Sequence, residues 1–217
     1  MRSTLTKLLL NLWFVVGGGL TMFVGVLTPR TALWAMRVTS GTALHILRIF
    51  GGVHYEVIGN VPTSGIIASK HMSAMETGIL LRLMPTAMFI IKRELAMVPI
   101  YGWTFYRAGM IAVDRRRGAT NLTTLASRAA AEITKGRPLI IFPEGTRTKP
   151  GEIRPLKRGI LKIAEASRSP ITPVSLDTGL FYPKHGRIVP GTAKIIFGTP
   201  LPYNTSLETL TTAINNI

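Results

Sequence analysis

From Leu8 to Pro29 the chain carries no charged side chain, and Lys7 and Arg30 bracket the run. As a helix Leu8–Leu27 would reach about 30 Å, enough to cross a hydrocarbon core. Three readings follow. A cleaved signal peptide needs a shorter apolar core and a small-residue cleavage site, and no such site follows this run. A single spanning helix fits the length. A hairpin dipping into one leaflet has the most local support. Thr28-Pro29 breaks the run, because proline lacks a donor and disfavours helix at the residue before it. The next stretch, Thr31 to Phe50, is amphipathic, with Arg37, His45 and Arg48 set among Leu33, Met36, Leu44, Ile46 and Leu47. Basic residues at both ends favour placing both on one aqueous side. Gly17-Gly18-Gly19 would loosen a straight helix or let a second helix approach closely.

Charge and hydropathy pull against each other in this sequence. The formal charge is +16, yet mean hydropathy is +0.31 and 47% of residues are hydrophobic. That hydrophobicity excludes a disordered chain. With no cysteine there is no disulfide, thiolate metal site or cysteine nucleophile. Residues 51–217 hold 21 basic and 10 acidic side chains, so the body of the protein is basic without its N-terminus.

After Gly51-Gly52 short β-branched runs recur at His54–Ile58, Gly65–Ser69, Ala87–Ile91, Met110–Val113, Leu139–Phe142, Ile171–Ser175 and Lys194–Phe197. Helix-like stretches lie between them, clearest at Thr120–Thr134, closed by Lys135-Gly136, and at Arg158–Ala166. This alternation predicts an α/β fold: a mostly parallel, mixed sheet of about seven strands flanked by helices. The expected division is 1–50, a membrane-anchoring helical hairpin, and 51–217, a single α/β domain.

Three polar clusters sit where predicted strands end. In Ser69-Lys70-His71-Met72-Ser73-Ala74-Met75-Glu76-Thr77, a continuous helix would turn about 500° between His71 and Glu76 and hold them apart. Ser73 to Glu76 reads instead as a capping box, with Ser73 the N-cap and Glu76 at the third helical position. His71 then lies in the strand-to-helix loop and its ring can fold back towards Glu76. The plain reading is a capped helix beside an ordinary loop histidine. The functional one is a His–carboxylate pair, in which the acid fixes the tautomer and frees the other nitrogen as a base. The second cluster, Phe142-Pro143-Glu144-Gly145-Thr146-Arg147-Thr148, follows an apolar strand; Gly145 allows a tight turn and Arg147 offers a fork for phosphate or carboxylate, or else is merely solvated. The third, Gly109 to Arg117, ends in Asp114 and three arginines, a solvated basic face or an anion site.

Taken in order, H-x4-E at His71–Glu76, Lys92-Arg93-Glu94-Leu95, G-x-I-x-x-D-R at Gly109–Arg115, F-P-E-G-T-R at Phe142–Arg147 and the proline-bearing Ile171-Thr172-Pro173-Val174 resemble the glycerolipid acyltransferases, and among them the bacterial 1-acyl-sn-glycerol-3-phosphate acyltransferases. The resemblance covers roughly residues 65–180. It implies that His71 is the general base and that Glu76 stands where most members have Asp. It implies that Arg115, Glu144 and Arg147, with Lys92 as a further candidate, help bind the acceptor's glycerol phosphate. Lys70 stands where many members have Asn.

The implied reaction moves an acyl chain from a thioester to the 2-hydroxyl of 1-acyl-sn-glycerol-3-phosphate, giving phosphatidic acid. No G-x-S-x-G elbow, H-E-x-x-H, P-loop or G-x-G-x-x-G is present, so direct transfer without metal or nucleotide cofactor is expected. The expected partners are a lysophospholipid acceptor, an acyl carrier protein or coenzyme A thioester, and an anionic membrane surface, with no nucleic acid. The expected location is the inner membrane, with the catalytic domain on its cytoplasmic side. Two alternatives stay open: a related enzyme with another lyso-lipid acceptor, such as a lyso-ornithine lipid, and a non-catalytic basic module that binds membrane or nucleic acid.

Overall fold

The computed structural model describes residues 1–114 and 122–216. The apolar N-terminal run forms one helix, α1 (Arg2–Gly25), long and apolar enough to cross a membrane by length and composition. It widens to π geometry at Trp13–Gly17. There the indole folds over Gly17 and its Nε1 donates to the Thr39 carbonyl at 2.9 Å. The break at Thr28-Pro29 starts a second helix, α2 (Pro29–Ile46), which continues as a π turn over Leu47–Gly51. Proline suits its first turn, where no N–H is needed, and Thr28 caps it reciprocally with Thr31.

The two helices form an antiparallel hairpin: Arg2–Leu12 lies beside Leu47–Gly51, and Gly18–Gly25 beside α2. Gly25 is needed at this contact, since a Cβ there would stand 2.8 Å from both Ala35 Cβ and Thr104 Cγ2. One stripe of α1, including Thr6, Leu10, Gly18, Met22 and Gly25, is buried on protein. The opposite face leaves Leu8, Leu12, Val15, Val16, Leu20 and Phe23 exposed.

The sheet contains β1 (Val53–Ile58), β2 (Ile66–Ser69), β3 (Met88–Lys92), β4 (Ile111–Val113), β5 (Leu139–Ile141), β6 (Ile171–Leu176) and β7 (Gly191–Phe197). Their order is β1-β7-β6-β2-β5-β3-β4. Every pairing is parallel except β6 with β7, so β1 and β7 run against the other five. The fully buried β2, β5 and β6 are continuously apolar or small, the pattern of strands covered on both faces.

The flanking helices are α3 (Met75–Leu83), α4 (Arg93–Ala96), α5 (Tyr101–Arg107), α6 (Leu122–Thr134), α7 (Gly159–Ser167), α8 (Thr178–Phe181) and α9 (Leu207–Asn215). The hairpin packs on this body: Gly78 of α3 faces Ser40 and Leu44 of α2, and Thr104 of α5 donates to the Met22 carbonyl of α1 at 2.7 Å. The expected strands and the mixed sheet are present. Strand ends move by a few residues, most at β7, which begins at Gly191 because it pairs there with Val53 of β1. Of the expected helix Thr120–Thr134, the first two residues lie outside the described part.

Candidate active site

Three adjacent parallel strands, β6, β2 and β5, end on one edge of the sheet and deliver the loops that carry the site. Ligands in open α/β sheets bind at this carboxyl edge. After β2 comes Lys70 and then His71. Its Nδ1 lies 2.8 Å from Glu76 Oε1. The same oxygen accepts the main-chain N–H groups of Met72 at 2.8 Å and Ser73 at 2.7 Å. The other oxygen accepts the Thr178 hydroxyl at 2.7 Å. Glu76 is fully buried and acts as acceptor to four donors. This puts the ring proton of His71 on Nδ1 and leaves the Nε2 lone pair to act as a base. The His71 side chain keeps 18% of its surface exposed, so a ligand can reach it.

The loop is tighter than a capping box alone. The helix starts at Met75, with Ala74 rather than Ser73 as N-cap. Glu76 closes back on Ser73 N as expected, while Ser73 Oγ accepts from Met75 N at 3.1 Å. Because the carboxylate also collects Met72 N, residues 72–74 wrap around it and enter the helix one residue late.

The loop after β5 holds His71 from the other side. The Phe142 ring stacks on the imidazole, with centroids 4.0 Å apart and planes 19° apart. Glu144 Oε2 accepts the His71 N–H at 2.8 Å. Thr148 donates its N–H at 2.7 Å and its hydroxyl at 3.1 Å to the His71 carbonyl. The turn that makes this reach possible passes through Gly145, at φ +73°. Glu144 is buried. Burial pushes its carboxyl above the ordinary value, and the His71 N–H, the Lys70 charge and Thr148 offset this only in part.

That shift carries a testable consequence. A carboxyl raised on folding binds more protons folded than unfolded in the window between its two pKa values. Its stabilisation is complete below the unfolded value and is lost as pH rises through the folded one. Glu144→Gln keeps an acceptor oxygen for His71 N and removes the titration. Its melting temperature relative to wild type is expected to climb from about pH 4 towards neutrality. Parallel thermal melts at both pH values check this; a constant offset contradicts it.

The other expected residues scatter. Arg147 is half-buried and lines a cleft with Ala74 and Tyr182. Lys92 is exposed at the end of β3, beyond β5 and on the far side of His71 from β6. Arg115 lies outside the described residues. Asp114 pairs with Arg93 at 2.8 Å. Lys70 is buried, and its ammonium donates to the Glu152 carbonyl at 3.2 Å and to the Asn215 side chain, tying α9 to the loop that carries His71. Among the described residues no group of three or more His, Asp or Glu side chains has metal-binding geometry.

Sequence reasoning gave no role to Phe142, Thr148 or Thr178. The first two flank Glu144 and Arg147 in the same segment, where an aromatic and a hydroxyl were visible without a partner. Thr178 offered only a weaker signal, a hydroxyl two residues past an apolar strand.

The comparisons with known proteins bear on the same segment. A family model described as Acyltransferase matches residues 53–177. The chain is 33% identical over 204 residues to a 1-acyl-sn-glycerol-3-phosphate acyltransferase of Pseudomonas aeruginosa, covering 91% of this chain and 79% of that one. It is 28% identical over 174 residues to 1-acyl-sn-glycerol-3-phosphate acyltransferase alpha of Homo sapiens, covering 77% of this chain and 61% of that one. The crystal structure of the 1-acyl-sn-glycerophosphate (LPA) acyltransferase PlsC from Thermotoga maritima superposes with a TM-score of 0.73 at 25% identity, over 99% of this chain and 93% of that one. A match that runs from β1 to the end of β6, and so takes in His71, Glu76 and the loop that clamps them, places this protein in the acyltransferase family.

Proposed function

We propose that this protein acylates the 2-hydroxyl of 1-acyl-sn-glycerol-3-phosphate from an acyl thioester, with His71 as general base. The observation that carries the proposal is the His71–Glu76 pair, buried on the carboxylate side and open on the imidazole side. Nε2 takes the hydroxyl proton as the oxygen attacks the thioester carbonyl. The C–O ester bond forms, the C–S bond breaks, and the departing thiolate recovers the proton from Nε2. The imidazolium formed in between is stabilised by Glu76, which cannot turn away because three other donors hold it. The reaction needs a co-substrate and no resident cofactor, and the donor is a thioester of acyl carrier protein or coenzyme A. The names of the similar proteins from Pseudomonas aeruginosa and Thermotoga maritima support the acceptor.

We place the enzyme on the cytoplasmic face of the inner membrane, held by the hairpin in one leaflet. α1 touches protein along its length, through Thr6, Trp13 and Met22, so its exposed apolar face lies alongside the body rather than projecting from it. The basic residues on both flanks favour one common aqueous side.

The test uses the full chain in neutral detergent with acyl carrier protein and coenzyme A thioesters in parallel. Phosphatidic acid is the expected product, followed by mass spectrometry. Faster turnover of a lyso-ornithine lipid or another acceptor without phosphate would overturn the acceptor assignment, and no transfer from either thioester would overturn the reaction.

A further inference from the structure

A cleft of about 170 Å³ opens where the membrane helix meets the catalytic loops. It is lined by Lys7 and Asn11 of α1, Ala74 before α3, Arg147 after β5, and Tyr182 and Lys184 after α8, with Pro183 between the last two. Three of these residues are cations and none is an acid. Cations gathered without a carboxylate repel one another, and an anion between them turns that repulsion into attraction.

The donors suit one kind of anion. Arg147 supplies a planar fork, Lys7 and Lys184 point charges, and Asn11 an amide. Tyr182 supplies a phenol whose proton is retained, since burial raises its pKa against the opposing charge of Arg147. Lys7 spends one donor on the Gly186 carbonyl and keeps two. Charge-assisted donors arriving from several directions match a phosphate monoester. The cleft also adjoins the base: Ala74 belongs to the His71–Glu76 loop, and Thr148, next to Arg147, is bonded to the His71 carbonyl.

We propose that Lys7, Asn11 and Lys184 complete, with Arg147, the binding site for the acceptor's phosphate monoester. The helix that attaches the protein to the membrane thereby also forms part of the acceptor site. A lysophospholipid sliding along the apolar face of α1 would meet Lys7 and Asn11 at the headgroup level, one step from His71. This deepens the function proposed above and rests on it for the identity of the acceptor. The phosphate-binding role of the cleft itself does not depend on turnover.

The variants are Lys184→Ala, Lys7→Ala and the double variant, all in the full chain. Lys184 is exposed, so its loss leaves the fold intact. Calorimetric titration with glycerol 3-phosphate in neutral detergent reads the site directly. Each single variant is expected to weaken binding about tenfold, the loss of one charge-assisted hydrogen bond, and the double variant further. With a short-chain 1-acyl-glycerol-3-phosphate in micelles, KM should rise by a similar factor while kcat stays near wild type. Turnover of 1-monoacylglycerol, which has no phosphate, should not change. Co-sedimentation with phosphatidylglycerol vesicles separates substrate phosphate from bulk headgroups. Variants that lose vesicle binding but keep wild-type glycerol 3-phosphate affinity would overturn the proposal. So would variants with unchanged affinity throughout. If the wild type binds glycerol 3-phosphate through these residues yet acylates no phosphate-bearing acceptor, the function falls and the site stands.

Discussion

His71→Ala is expected to lower acyl transfer by about 10²- to 10⁴-fold, the usual contribution of a positioned general base. The protein should stay folded and attached to vesicles, because the ring is partly exposed and the hairpin lies on other elements. What is lost locally is the stack on Phe142, worth about 0.5–1.5 kcal/mol, and one of the four bonds to Glu76. The main-chain N–H and carbonyl of residue 71 keep their bonds to Glu144 and Thr148. A fall in kcat with KM nearly unchanged is therefore the diagnostic result, from single-turnover and steady-state rates together. A variant that turns over at the wild-type rate would contradict a base at this position.

Glu76→Gln is expected to be damaging although the change is conservative. The carboxylate receives the His71 ring, two main-chain N–H groups and the Thr178 hydroxyl, all as donors. An amide can keep its oxygen on the His71, Met72 and Ser73 donors, which leaves its NH2 facing the Thr178 hydroxyl and removes the charge. The hydroxyl then accepts from the NH2 and its own proton loses its acceptor; a buried donor left unsatisfied costs about 1–3 kcal/mol, and a loss of that size is expected in chemical denaturation. Activity should also fall, because the amide carries no charge to stabilise the imidazolium. Glu76→Asp keeps the acceptors on a side chain one methylene shorter and should rank between wild type and Gln on both measures. A Gln variant with wild-type stability and kcat would show that neither the Thr178 bond nor the carboxylate charge matters.

The sequence was most readable where chemistry and local pattern coincide. His71, Glu76 and the turn at Gly145 were each legible from spacing and strand ends, and so was the break at Thr28-Pro29. The partners of those residues were not. Thr178 reaches Glu76 across 102 positions, and nothing in its neighbourhood announces that it does. Strand order was equally hidden, because Ile171–Leu176 reads as a buried strand whichever neighbours it takes. The antiparallel turn from β6 to β7 shows in no residue pattern. Glu144 illustrates a subtler gap. Its motif was plain, but only the fold shows that one of its oxygens accepts the amide of residue 71.

The placement of β1 has a consequence for how the chain is made. β1 follows directly on the hairpin, yet its neighbour in the sheet is β7, the last of the seven strands in sequence order. During synthesis the hairpin and β1 emerge well before the strand that pairs with β1 and before the Thr178 hydroxyl that secures Glu76. The nascent protein thus carries an open strand edge until Gly191–Phe197 has been made, and such long-range closures are slow. A chain stalled before Gly191 would be neither sealed nor active, which makes the early-exposed edge of β1 the point where quality control has most to recognise.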